Sequence, residues 1–175
     1  MAQPKPVPRV KLIIGVMYKE SENCNTAIAL LKERFGEIDD EVEYDFNFTE
    51  YYTPEMGAKL KKKLLMFKTE IDREWLAQIK LDTNAIEDEG KSEKNNRRIN
   101  LDPGYLTLHN VVLASAKEMP HKVFIGKGMF GDVVLEYKNK SYQASPHTFP
   151  DFKSDKVIDF LNKVRKKFQE EQKSV

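Results

Sequence analysis

Cysteine is nearly missing from this chain. Cys24 is the only one, so no internal disulfide can form, paired-cysteine zinc sites are ruled out, and the composition suits a reducing, cytoplasmic setting. Long apolar runs are missing too. No stretch approaches the roughly 18 consecutive apolar residues that would cross a bilayer, and the start, with Pro4, Pro6 and Pro8, has no apolar signal-peptide core. A membrane association is therefore not expected. Residues 1–9 read as a flexible arm, and residues 10–175 as a single α/β domain. Charge of one sign is also absent: 29 Lys and Arg against 28 Asp and Glu leave a net charge of +1. That near-neutrality removes the overall field that would draw in nucleic acid.

Several catalytic signatures do not occur. There is no Gly-x-x-x-x-Gly-Lys-Ser/Thr phosphate loop, no His-Glu-x-x-His and no Gly-x-Ser-x-Gly. None of His109, His121 and His147 begins the His-x-Ser/Thr pair of two-histidine phosphoesterases. The segment Gly126 to Val133 spells a kinase-like Gly-rich loop, but β-rich Val133-Val134-Leu135 follows it where a dinucleotide site needs a helix. A hairpin turn accounts for these glycines better. A noncontiguous metal site from Asp102, His121 and Glu136 is a further reading, although scattered acids usually face solvent. No metal residue and no cofactor is assigned.

What is present reads as alternating short elements. Val10 to Tyr18 is a buried strand, and Ser21 to Gly36 a helix with Ala27, Ile28, Leu31 and Phe35 on one side. Val42, Tyr44, Phe46 and Phe48 alternate with polar residues as in a half-buried strand. Thr53-Pro54 starts a helical turn ahead of a strand near Lys63 to Thr69, and Asp72 caps a helix carrying Trp75, Ile79 and Ile86. Glu87 to Asn96 reads as a polar loop. Arg97 to Leu101 predicts a short strand that stops at a type II turn, with Pro103 at its second position and Gly104 at its third. Leu108 to Lys117 has helix-compatible composition, His121 to Ile125 and Val133 to Tyr137 form a hairpin, and Ser154 caps a last helix. The order matches a split βαβ unit. The expected class is α+β: a two-layer, mixed, mostly antiparallel sheet with helices on one face, built on a ferredoxin-like core with a C-terminal hairpin and helix. A more parallel three-layer α/β sandwich is the alternative.

The most unusual stretch is Asn100-Leu101-Asp102-Pro103-Gly104-Tyr105. At a strand end Asn100 and Asp102 share one side, and Gly104 leaves backbone amides approachable. With Arg98, Lys117 and His121 nearby, this mixed charge suits a small-molecule site for a phosphorylated or nucleotide ligand. Asp102 would act as base or cation holder, His121 as proton shuttle, and Arg98 or Lys117 as anion partner. Gly104 and Tyr105 complete the motif. Here the chain resembles a widespread prokaryotic family of uncharacterised proteins marked by an Asn-Leu-Asp-Pro-Gly-Tyr signature. The likeness extends to Arg34-Phe35-Gly36, Tyr51-Tyr52, Glu55-Met56-Gly57, Ile79-Lys80-Leu81, Thr83-Asn84 and Thr148-Phe149-Pro150-Asp151-Phe152, where Phe149 and Phe152 stand in place of the family's tyrosines. The resemblance implies no established reaction, although some members carry a GTP-binding label. It adds Tyr51, Tyr52 and Glu55 to the ligand-binding candidates, and implies that the Tyr51 to Gly57 segment, the motif and His121 meet in one pocket. The competing reading is a noncatalytic protein-interaction module that uses Tyr51, Tyr52 and the basic last helix. The basic runs at Lys59 to Lys63 and Lys163 to Lys167 are read as solvated faces rather than phosphate contacts.

Overall fold

An apolar strand bounded by charged residues folds most favourably where both its faces are covered, and Val10–Tyr18 (β1) does so: all nine of its residues are buried. The computed structural model describes residue 3 and residues 5–173; residues 1, 2 and 4, part of the N-terminal segment read as an arm, lie outside the described residues. After β1 come α1 (Ser21–Phe35), β2 (Ile38–Phe46), α2 (Thr53–Met56), β3 (Leu60–Ile71) and α3 (Leu76–Glu89), the last entered through a 3₁₀ turn at Arg73–Trp75. β4 (Ile99–Leu106), β5 (Asn110–Ser115), β6 (Val123–Gly126), β7 (Met129–Lys138) and β8 (Ser141–Ala144) follow. A second 3₁₀ turn at Pro150–Lys153 leads into α4 (Asp155–Glu171).

The sheet runs β2-β3-β1-β4-β5-β7-β6, with β8 also paired to β7, and every pairing is antiparallel. β1 lies between β3 and β4, the arrangement of a split βαβ core. Because side chains alternate across a strand, β1 feeds two separate cores. Leu12, Ile14 and Val16 pack with Cys24, Ala27 and Leu31 of α1 and Ile79 of α3. Ile13 and Met17 pack with Val157, Phe160, Leu161, Val164 and Phe168 of α4. The α+β class, the antiparallel sheet and the ferredoxin-like core agree with the sequence reading. α4 differs from the one-face expectation by covering the reverse face, which a β1 buried on both faces requires. Among the described residues no helix is long and apolar enough to cross a membrane.

Two local readings are overturned. Asp102-Pro103-Gly104 is no turn: β4 runs straight through it, paired to β1 from Lys11↔Leu106 to Tyr18↔Ile99. A proline is tolerated because β5 pairs with β4 only from Gly104 to Leu106, so the missing N–H of Pro103 faces no partner strand. Gly104 does not have positive φ; a Cβ there would lie 2.3 Å from the Val112 carbonyl oxygen, so it is glycine for close strand approach. The second correction is Leu108 to Lys117, which holds β5 (Asn110–Ser115) rather than a helix, its Val111, Val112 and Leu113 being buried between neighbouring strands. The Gly126 to Gly131 segment is the hairpin expected: Lys127 and Gly128 form its two-residue tip, both with positive φ.

Candidate functional site

Where β5 leaves β4, the sheet splits, and the unpaired edge of β4 needs other partners. α3 supplies them. Lys80 Nζ donates to the Leu101 carbonyl at 2.7 Å, and Leu101 N donates to Glu87 Oε1 at 2.6 Å, so two side chains replace the missing strand. Both belong to a helix face on which Lys80, Asn84 and Glu87 are spaced four and three residues apart. In the split lies a cavity of about 290 Å³. Its charged lining comprises Lys80, Arg97, Lys117 and Lys122 against Glu87, Asp102 and Asp132. Tyr51, Tyr52, Asn100 and Phe149 also line it.

One wall is a continuous polar network on the α4 side of the sheet. Lys62 on β3 is only 5 % exposed at its side chain, and its ammonium sits 2.9 Å from Asp151 Oδ2 and 3.1 Å from Asp102 Oδ2. To reach β4 it passes over Gly15 of β1, where a Cβ would stand 2.8 Å from Lys62 Cε. Tyr44 OH donates to the same Asp151 oxygen at 2.9 Å. On the other side Asn100 Nδ2 donates to Asp102 Oδ1 at 3.0 Å, and Arg97 Nη1 donates to Asn100 Oδ1 at 2.7 Å. Arg97 also holds Glu55 through Nε and Nη2, at 2.9 and 2.7 Å. Burial works against the Lys62 ammonium, yet Asp151 and Asp102 hold its pKa well above the ordinary lysine value. Burial would likewise raise Asp102, but the Lys62 and Lys80 ammonium groups outweigh it and keep that carboxylate below its usual range. Glu87 is the opposite case: burial raises its pKa more than Lys80 lowers it.

The sequence-derived candidates divide accordingly. Tyr51, Tyr52, Asn100, Asp102 and Lys117 line the cavity, with Lys117 Nζ donating to Tyr51 OH at 2.8 Å and lowering the pKa of that phenol. Glu55 stands just behind them on Arg97. Arg98 is exposed and lines a different cavity with Glu22, Asn23 and Ile99. Tyr105 points to the other face of β4, packing against the α1 and α3 core, and Gly104 serves strand packing. His121 is not in the cavity lining; its Nε2 lies 3.5 Å from Asp132 Oδ2, and Asp132 does line it. Asp102, His121 and Glu136 do not converge, since Asp102 pairs with Lys62 and Glu136 with Lys138. Sequence reasoning missed Lys62, Lys80, Glu87, Arg97, Asp132 and Asp151 as site residues. The helical spacing of Lys80, Asn84 and Glu87 was a usable signal, as was a glycine inside the mostly apolar β1.

Acid should loosen this network in a defined direction. Asp102 and Glu55, the latter through its hydrogen bonds from Arg97, have folded pKa values below the ordinary ones. Their stabilisation is complete above about pH 4–4.5 and is lost as pH falls through the folded values. Glu87, with a raised value, works the other way and gains from protonation at mildly acid pH. Urea-unfolding midpoints measured from pH 7 to pH 3 should therefore drop below about pH 4, and Glu55→Gln should make that drop shallower.

Comparison with known proteins places residues 8–168 within one family, described as a domain of unknown function (DUF4416). No curated protein matches the chain, and no solved structure matches it.

Proposed function

The chain belongs to the DUF4416 family, a domain of unknown function, and we propose that it binds a small anionic ligand, such as a phosphorylated metabolite, in the split between β4 and β5. The observation that carries this reading is Lys117: at the cavity mouth its ammonium touches a tyrosine hydroxyl and, among the described residues, no carboxylate. Lys80, Arg97 and Lys122 add positive charge to the same space, and an anion with phosphate-like geometry would meet several donors at once. The volume, about 290 Å³, is at the small end for ligand sites and favours a sugar phosphate or similar molecule over a whole nucleotide. The Gly-rich hairpin gives no phosphate cradle, as its tip residues do not line this cavity.

Within such a site, Asp102 suits holding a ligand hydroxyl or cationic group, since Lys62 keeps it ionised. Glu87, buried and raised in pKa, is better matched to moving a proton. The interaction-module reading has less support. Lys163 and Lys167 on α4 pair with Asp40 and Asp39, Lys61 and Lys63 pair with Glu43 and Glu41, and Tyr52 packs against Phe46. Thermal-shift and calorimetric titration with inorganic phosphate, sugar phosphates, ATP and GTP tests the proposal. At least one phosphorylated compound should stabilise the chain, and Lys117→Ala should weaken its binding by about tenfold or more while leaving the melting temperature of the free protein unchanged. Equal binding by the variant, or no response to any probe, would remove the anion site.

A further inference from the structure

Asp132 on β7 is 1 % exposed at its side chain, and among the described residues neither carboxylate oxygen has a hydrogen-bond partner. An ionised carboxylate in that position is costly, because desolvation is not offset by donors. Around it stand three groups that approach without bonding it. His121 Nε2, from the loop before β6, is 3.5 Å from Oδ2; His147 Nε2, from the loop after β8, is 3.7 Å from Oδ1; Lys122 Nζ is 3.8 Å from Oδ2 and instead donates to Ser115 Oγ. The two imidazoles are stacked, with centroids 4.2 Å apart and planes 25° from parallel. The stacking brings both Nε2 atoms to the same carboxylate.

We propose that His121, Asp132 and His147 bind one first-row divalent metal ion, of the zinc or manganese type. One ligand atom from each residue lies within 4.8 Å of the other two. A tetrahedral ion with bonds of about 2.0–2.1 Å holds its ligands about 3.4 Å apart, close to the histidine–carboxylate separations here. Two imidazoles and one carboxylate select such an ion over calcium or magnesium, which prefer all-oxygen shells. Ser145 Oγ lies 3.2 Å from His147 Nδ1 and 3.1 Å from its Nε2, and the Val133 carbonyl oxygen lies 3.4 Å from Nε2, so binding an ion through Nε2 replaces these contacts there while Nδ1 keeps Ser145 as its hydrogen-bond partner. The remaining coordination positions are left for water or ligand oxygen, and Asp132 also lines the cavity described above. The site rests on the orphaned carboxylate and its two histidines, and stands whether or not that cavity takes an anion.

The test uses the full chain, stripped with chelator and titrated with Zn²⁺ and Mn²⁺ by calorimetry, with Co²⁺ absorption reporting coordination. One ion per chain is expected, with His121→Ala and His147→Ala each weakening binding by about 100-fold and the melting temperature of the metal-free protein unchanged. Asp132→Asn should abolish binding while leaving the metal-free chain as stable or more stable, because it removes a buried charge without donors. If Asp132 is instead only the ion-pair partner of Lys122, Asp132→Asn will destabilise the chain and no metal will bind. Either that result, or a stoichiometry untouched by the histidine substitutions, overturns the site.

Discussion

Replacing Lys62 with methionine is expected to lower the free energy of unfolding by about 3–5 kcal/mol, the largest loss anticipated for any single polar residue in this protein. The aliphatic stem would be matched in volume, so the effect isolates the ammonium. Without it Asp151, 2 % exposed at its side chain, would among the described residues keep only the Tyr44 hydroxyl as donor to Oδ2, and Asp102 would lose its nearest cation. Equilibrium urea unfolding measures the loss. Lys61→Met, removing an exposed partner of Glu43, should change stability by no more than about 1 kcal/mol. Adding Asp151→Asn to Lys62→Met should recover part of the loss, since the uncompensated charge is then gone. A Lys62→Met protein as stable as the parent would show that the buried cluster is not held by this ion.

Gly104→Ala should be nearly as damaging, at about 3 kcal/mol or more, for a reason unrelated to turn conformation. The added methyl would meet the Val112 carbonyl oxygen at 2.3 Å and the Leu113 Cδ2 at 2.5 Å, and a backbone carbonyl in a paired strand cannot step aside as a flexible side chain can. Relief would require β5 to move off β4, widening the split that forms the cavity. Gly128→Ala is the informative contrast: it has positive φ but nothing within 4 Å, so only the backbone conformation is penalised, by about 1 kcal/mol. Thermal and urea unfolding of the two variants side by side would separate them. Equal, small losses would mean that β4 and β5 are not packed as closely as described.

Much of the secondary structure was legible because it depends on neighbours in sequence. The largely apolar run from Val10 to Tyr18 became β1 with those bounds, Ser21 to Gly36 held α1, Thr53-Pro54 opened α2, and Ser154 stands at the N-terminus of α4. The failures share a different cause. Pro103 and Gly104 are turn residues in any local reading, yet they occur inside β4 because β5 diverges beside the proline and crowds the glycine. Glu87 reads as the start of a polar loop, but α3 continues to Glu89 because the open edge of β4 takes its carboxylate. β8 escaped notice because four residues, only one of them buried, give too short a pattern to recognise.

The α+β class, the split βαβ order and the single-cysteine, near-neutral composition therefore follow from local periodicity and simple counting. Tertiary structure alone decided which charges meet. In the run Lys61-Lys62-Lys63, strand alternation turns Lys61 and Lys63 toward Glu43 and Glu41 and buries Lys62 against Asp102 and Asp151, residues 40 and 89 positions away. His121, Asp132 and His147 likewise come together only because β6 and β8 both pair with β7. Composition and spacing carry no record of such meetings, since they are set by strand order and register rather than by the residues' distance along the chain.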